Sequence, residues 1–136
     1  MMKFEIFTEK LAGLTAISPE YFVRLIANNH LTIAITGDGY TSKLSARHAA
    51  GRLQGTNLST PVWNVVALPS PFHGERFEIR LSPAGLGKSE FRWRYFGRNG
   101  ELIAHSGEGY NNEADCRQAI DFIKSTNFTT PITVLA

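Results

Sequence analysis

The sequence predicts an α+β protein: one antiparallel-rich sheet built from two tandem β3-α-β repeats, with both helices on one face. Three observations predict it. First, the chain repeats itself, Tyr21–Val62 lying over Phe91–Ile132 at a constant shift of 70 residues. Second, each copy opens with short runs of aromatic and β-branched residues in period-two alternation, the pattern of strands. Third, the period then changes to that of a helix. Ala46, Ala49, Ala50 and Leu53 form an i, i+3, i+4, i+7 stripe, matched by Cys116, Ala119, Ile120 and Ile123.

The identities in this alignment are Arg24/Arg94, Asn29/Asn99, Ile33/Ile103, Ala34/Ala104, Gly37/Gly107, Gly39/Gly109, Tyr40/Tyr110, Arg47/Arg117, Ala49/Ala119, Thr56/Thr126, Asn57/Asn127, Thr60/Thr130 and Pro61/Pro131. Phe4-Glu5-Ile6 and Phe77-Glu78-Ile79 open the two copies. The repeats are expected at residues 1–68 and 76–136. The linker, 69–75, contains Pro69, Pro71 and Gly74, which block regular structure.

Element by element, Lys3–Phe7 and Arg76–Leu81 are expected as first strands, Tyr21–Ala27 and Phe91–Gly97 as second. Asn28-Asn29 and Arg98-Asn99-Gly100 turn the chain; Asn-Gly suits a hairpin because both residues tolerate positive φ. Leu31–Thr36 and Glu101–Ser106 return as third strands. Gly37-Asp38-Gly39-Tyr40 and Gly107-Glu108-Gly109-Tyr110 leave the sheet. Ser42 and Asn112 are N-cap residues able to accept a free first-turn amide, and Gly55 is placed to end the first helix. Val62–Leu68 and Ile132–Leu135 are expected as last strands. The helices must bury their stripes on one sheet face. Tyr21, Val23, Leu25, Phe91, Trp93 and Tyr95 all point one way and form the predicted core. One unit alone buries little, and each large apolar side chain buried contributes ~1.5–3 kcal/mol, so two units sharing a sheet gain more.

Composition removes several classes. At 136 residues the chain suits one compact domain, and 43% hydrophobic with 19% charged residues argues against disorder. A net charge of +2 is too small to imply nucleic acid by itself. A single cysteine excludes an intrachain disulfide and a multi-cysteine zinc site. No apolar run approaches the ~20 residues of a membrane span, and Glu5 stands where a signal peptide needs apolar sequence. The expectation is a soluble cytoplasmic protein with no membrane partner.

Gly107-Glu108-Gly109-Tyr110 before a capped helix with Ala at packing positions, after an aromatic strand (Phe91-Arg92-Trp93-Arg94) and an Asn99-Gly100 turn, resembles the YegP-like family, a domain of unknown function (number 1508). The first copy keeps Tyr21-Phe22-Val23-Arg24 and Gly37-Asp38-Gly39-Tyr40 but has His30 where the turn glycine belongs. The resemblance implies two β3-α-β units joined in one sheet with their C-terminal strands exchanged. It supplies no active site.

Several residue groups have the makings of chemistry. Gly85-Leu86-Gly87-Lys88-Ser89 is similar to the end of a phosphate-binding loop, but Ser82 replaces the first glycine and a strand follows, so it reads as a strand connection. His30, His48, His73 and His105 lack metal-pair spacing, so no metal and no cofactor is expected. Cys116 sits on the helix stripe as a small hydrophobe. Asp38/Tyr40 and Glu108/Tyr110 could line a symmetric catalytic cleft, against a plainer reading as turn acids. Asn57-Leu58-Ser59 and Asn127-Phe128-Thr129 fit the glycosylation sequon, but without a secretory signal they imply nothing.

The open sheet face is the strongest candidate. Phe22, Arg24, Arg92, Arg94, Phe96 and Arg98 are assigned to it, with Lys88 nearby. Guanidinium groups beside exposed rings can hold phosphates and stack bases, or can cover the rings with their own stems. Phe22, Ile26, Phe96 and Ile103 could instead form an apolar patch for a protein. The expected function is a small non-enzymatic binding or protein-interaction module using this face, its partner unknown. Nucleic-acid binding through the Arg/aromatic face is the alternative, and an enzyme cleft at the Gly-Asp/Glu-Gly-Tyr turns a further one. A protein partner is favoured over nucleic acid. A monomer is expected, since one chain can complete the sheet; a homodimer is the other arrangement.

Overall fold

The computed structural model describes residues 2–8, 20–37 and 39–135. Among them are β1 (Lys3–Thr8), β2 (Tyr21–Ile26), β3 (Thr32–Thr36), α1 (Lys43–Gln54), β4 (Val62–Asn64), β5 (Arg76–Gly85), β6 (Lys88–Phe96), β7 (Leu102–Ser106), α2 (Glu113–Lys124) and β8 (Ile132–Val134). The strands form one open mixed sheet in the order β4-β5-β6-β7-β3-β2-β1-β8. The β3–β7 pair, Ala34↔Ser106 to Thr36↔Ala104, joins its halves. Only the edges are parallel: β4 on β5 and β8 on β1. Each edge strand thus pairs with a strand remote from its own helix.

Core and open face follow from strand alternation. Phe4, Ile6, Val23, Leu25, Phe77, Ile79, Trp93 and Tyr95 are buried against Ala46, Ala49, Ala50 and Leu53 of α1 and Cys116, Ala119, Ile120 and Ile123 of α2. Ser42 accepts from the Ser45 amide and Asn112 from the Asp115 amide, so both N-caps are used. Gly55 does close α1, but at φ −82, a conformation Ser125 adopts equally at the end of α2. Polar ties hold the edges in place. Gln54 Nε2 donates to the Thr130 carbonyl (3.1 Å) just before β8, and Lys124 Nζ to the Thr60 carbonyl (2.8 Å) just before β4.

Four expectations change. β4 and β8 are shorter than predicted; beyond them the Val65 amide still bonds Ile79 O and the Leu135 amide Ile6 O, outside the regular ladder. β5 and β6 are longer and continue into a hairpin closed by Gly85, Leu86 and Gly87, all at positive φ. Its turn chemistry outweighs Pro83, which has no amide to give to the ladder. Ile103 is in the core, 1% exposed, because register shifts at Leu25/Ile26 and Tyr95/Phe96 leave Ile33 and Ile103 as extra residues. Such bulges turn two consecutive side chains inward. Finally, Arg98 belongs to the turn after β6, not the open face. It lines a cleft with Arg52, Glu75 and Tyr95 at the helix side.

The exit from the sheet explains the Gly-x-Gly-Tyr motif. β3 and β7 end at Thr36 and Ser106, whose buried hydroxyls accept from the Val23 and Trp93 amides in place of the departing backbone. Tyr40 and Tyr110 then rejoin the sheet as bridges to Tyr21 and Phe91. Gly39 lies under the Glu20 side chain and Gly109 under the Glu90 carboxyl, so a side chain at either glycine would collide. Tyr110 is pushed up to about 12, by burial first and by Glu108 second. Glu108 itself is exposed. Asp38 and the Lys10–Pro19 loop lie outside the described residues, so the proposed symmetric cleft is described only through Tyr40 and the second turn. Tyr40 borders a shallow cleft with Ser45, His48 and Arg52.

Candidate binding face

One row of open-face side chains crosses the sheet. Reading strand to strand, Glu5 pairs with Arg24, Arg24 with Ile35, Ile35 with His105, His105 with Arg94, and Arg94 with Glu78. Strands lie ~4.8 Å apart, so Arg24 and Arg94 stand about 14 Å from one another across the central pair.

The two ends of the row are occupied differently. At the first, Arg24 Nε donates to Glu5 Oε1 at 2.8 Å, and Lys3 Nζ reaches Glu5 Oε2 at 3.3 Å. Burial by itself would raise the Glu5 carboxyl; these two cations outweigh it and hold it below the usual range. Arg24 also lies over the Phe7 ring, 4.6 Å from its centroid, and Phe7 stacks on Phe22. At the second end Glu78 faces Arg94 across the strands, yet Arg76 takes it. Arg76 Nε donates to Glu78 Oε2 at 2.6 Å, and Ser70 Oγ donates to the same oxygen. The pair is almost fully buried, and Arg76 also covers the Phe96 ring at 4.5 Å. The Arg94 guanidinium is therefore left with no hydrogen bond or ion pair to any described residue.

Next to Arg94 the imbalance grows. Arg80 of β5 stands directly opposite Arg92 of β6. Like charges in that position repel. Arg92 is offset by Glu90, whose Oε1 accepts from both Nε and Nη2, but Arg80 has no partner among the described residues. The segment after β4 runs beside them, its Val65 buried. Val65 and Leu68, with Glu78, Arg80, Arg92, Arg94 and His105, line a cavity of about 260 Å³.

Of the residues assigned from sequence, then, Phe22, Arg24, Arg92, Arg94 and Phe96 do share the open face. Phe22 and Arg24 stand at one end of the row, Arg92, Arg94 and Phe96 at the other, and Arg98 is apart. Sequence reasoning missed Arg80, Arg76 and His105. The signal for the first two was the alternation Arg76, Glu78, Arg80 against Phe77, Ile79, Leu81 in β5.

Comparison with known proteins gives the family. A family model described as a domain of unknown function (DUF1508) matches residues 88–133. The UPF0339 protein NMB1088 of Neisseria meningitidis serogroup B is 47% identical over 45 residues, 33% of this chain and 79% of that protein. The chain belongs to the UPF0339 (DUF1508, YegP-like) family. A serogroup A relative, NMA1193/NMA1859, matches over the same share. Two solved structures have the fold of this UPF0339 chain: yegP of E. coli, described as of unknown function, and SO3888 of Shewanella oneidensis. Each has a TM-score of 0.61 at 16% identity; they cover 98% of this chain and 92% and 91% of their own. The family is one of unknown function, and no specific function is indicated.

No helix among the described residues is long and apolar enough to cross a membrane. Other displaced groups serve packing. Cys116 is fully buried and its thiol is pushed up to about 12, chiefly by burial. Tyr95 is raised by burial and by its 2.7 Å bond to Glu75. Burial lowers Lys124, whose Nζ donates to the Thr60 carbonyl.

Proposed function

We propose that the chain is an internal duplication of one β3-α-β unit, and that it acts as a non-enzymatic binding module through the open face of its sheet. The duplication is supported by the 70-residue shift and by matched details at matched positions: the N-caps, the bulges, the Tyr21/Tyr40 and Phe91/Tyr110 bridges, and the Gln54 and Lys124 ties. A relative 79% covered by an alignment spanning 33% of this chain is consistent with one unit standing alone elsewhere. Because the chain supplies both edge strands itself, the module works as a monomer.

One observation carries the binding reading. Lys3, Arg24, Arg76, Arg80, Arg92 and Arg94 share the open face with Glu5, Glu78 and Glu90. Six cations less three carboxylates leave +3 there, against +2 for the whole chain, so the rest of the molecule is net negative. Such a face suits an acidic partner. A protein fits better than single-stranded nucleic acid, because the Phe7 and Phe96 rings that would stack bases are covered by Arg24 and Arg76.

The test compares what the immobilised chain and an Arg24→Ala/Arg92→Ala/Arg94→Ala variant retain from lysate. Acidic proteins held by the parent, released by salt and lost in the variant are expected. Identical retention by both, or none by the parent, refutes the reading. Salt-sensitive retardation of an oligonucleotide, lost in the variant, would transfer the assignment to nucleic acid.

A further inference from the structure

The two ends of the open face differ at corresponding positions, and the differences all add cationic or hydrogen-bonding groups at one end. Phe7 faces Phe22 where Arg80 faces Arg92, and Ile35 stands where His105 does. Lys3 leaves Glu5 free to hold Arg24, whereas Arg76 takes Glu78 from Arg94. The cavity of about 260 Å³ lies at the cationic end.

We infer that this groove, between the Val65–Leu68 segment and strands β5 to β7, binds a phosphate monoester. The inference rests on the binding-module reading and names the group its face accepts. Charge selects the ligand. Arg92 is matched by Glu90, so the uncompensated cations are Arg80 and Arg94, a surplus of two. A monoester dianion carries about −1.5 to −2 at neutral pH, which matches. A carboxylate would leave one cation unmatched, and so would the single charge of each phosphodiester. Geometry agrees. Arg80 and Arg92 face each other at ~5 Å between Cβ atoms, and Arg94 is about 7 Å along the same strand, spacings that long side chains can bridge to one tetrahedral group; all three line the cavity, Arg92 with Nη1 left over from its contact with Glu90. His105, with Nδ1 2.9 Å from the Ser106 carbonyl, borders the same space. Drug-sized ligands need ~300–1,000 Å³, so the groove holds one group rather than a whole cofactor.

The test is a titration of isotope-labelled protein with inorganic phosphate at pH 7.5 and low ionic strength, following backbone and arginine Nε–H resonances. Chloride at matched ionic strength is the control. Saturable shifts at Arg80, Arg92, Arg94 and His105, without matching shifts at Arg24, are expected. Arg80→Gln and Arg94→Gln should each weaken binding tenfold or more, with the melting transition of each variant confirming its fold. Parallel titrations with a phosphoserine peptide and a single-stranded oligonucleotide separate the sources. A peptide bound in the groove only when phosphorylated supports a phosphoprotein partner; saturation by inorganic phosphate but not the peptide supports a small phosphate. An oligonucleotide that outcompetes both overturns the monoester assignment. Shifts that do not saturate, that appear equally at Arg24, or that survive both substitutions overturn the site. If the site fails while acidic proteins are still captured through the face, only this inference falls. If phosphate binds but no protein is captured, the protein-partner reading falls instead, and the face is a binding site for a small phosphate.

Discussion

Gly107 and Gly109 bracket the exposed Glu108, and substituting each with alanine tests what each glycine is for. Neither has positive φ, so the backbone itself permits a side chain. What differs is the obstacle. At Gly109 the new Cβ would fall within the Glu90 carboxyl group, the end of a flexible, partly exposed side chain. Glu90 can swing away, at ~0.5–1.5 kcal/mol for a poorer rotamer and up to ~1 kcal/mol for its exposed contact with Arg92. Reduced freedom of the unfolded chain returns ~0.4–1 kcal/mol. The net cost is about 1 kcal/mol. At Gly107 the Cβ would collide with the carbonyl oxygen of Thr32 on β3. That backbone is fixed in the sheet centre, and the Gly107 amide also donates to Ile33 O at 3.1 Å. Overpacking costs ~1–3 kcal/mol and the weakened hydrogen bond ~1 kcal/mol, so about 2–3 kcal/mol is expected after the same return. Urea denaturation of both variants, at unchanged m-value, checks the order. Equal costs, or a larger cost at Gly109, would refute the argument that rigid backbone rather than proximity decides.

Further expectations concern other sites. His30 occupies φ 67, where Gly100 stands at φ 81 in the matching turn, so His30→Gly should raise stability by up to ~1 kcal/mol, read as a higher urea midpoint. A midpoint that stays or falls would mean the histidine side chain compensates its backbone. The lowered Glu5 carboxyl contributes stability that is complete above its unfolded value near 4.5 and is lost as pH falls through its lower folded value. Glu5→Gln should therefore cost about 1–2 kcal/mol at pH 7 and show a shallower acid loss; a parallel acid profile would argue against it. Cys116 and Tyr110 are both raised to about 12. The unfolded chain releases these protons first, so stability should fall as pH rises from about 9 towards 12. Cys116→Ala should flatten part of that slope, and the native thiol should resist alkylation at pH 8; rapid alkylation without unfolding would contradict its burial.

Periodicity fixed the large features because burial is a face-wide property. Val23, Leu25, Trp93 and Tyr95 alternate cleanly, and all are buried. Caps were legible because Ser42 and Asn112 act on amides three residues away. The features that escaped depend on contacts distant in sequence or on a single displaced residue. Ile103 reads as open-face by parity, but one bulge opposite Tyr95 reverses its direction. The free arginines escaped for a different reason. Arg24 and Arg94 are repeat mates, each opposite a glutamate, and sequence gives them the same partner. Only the reach of Arg76 along its own strand decides that Glu78 is already engaged.

That competition can be reversed by one substitution outside Arg80, Arg92 and Arg94. Arg76→Lys installs the residue that stands at Lys3. There the ammonium sits 3.3 Å from one Glu5 oxygen and leaves the other for Arg24 at 2.8 Å. A lysine at 76 lacks the fork that holds both Glu78 and the Gly74 carbonyl, and it cannot cover Phe96 with a planar group. Glu78 should then turn to Arg94, its cross-strand neighbour. The phosphate groove would lose one of its two unmatched cations although Arg80, Arg92 and Arg94 are all still present. An exposed ion pair contributes up to ~1 kcal/mol, so phosphate affinity should drop about fivefold, and the Arg94 Nε–H resonance should shift before any ligand is added. Unchanged affinity with an unmoved Arg94 resonance would show that Arg76 does not control how many cations the groove offers.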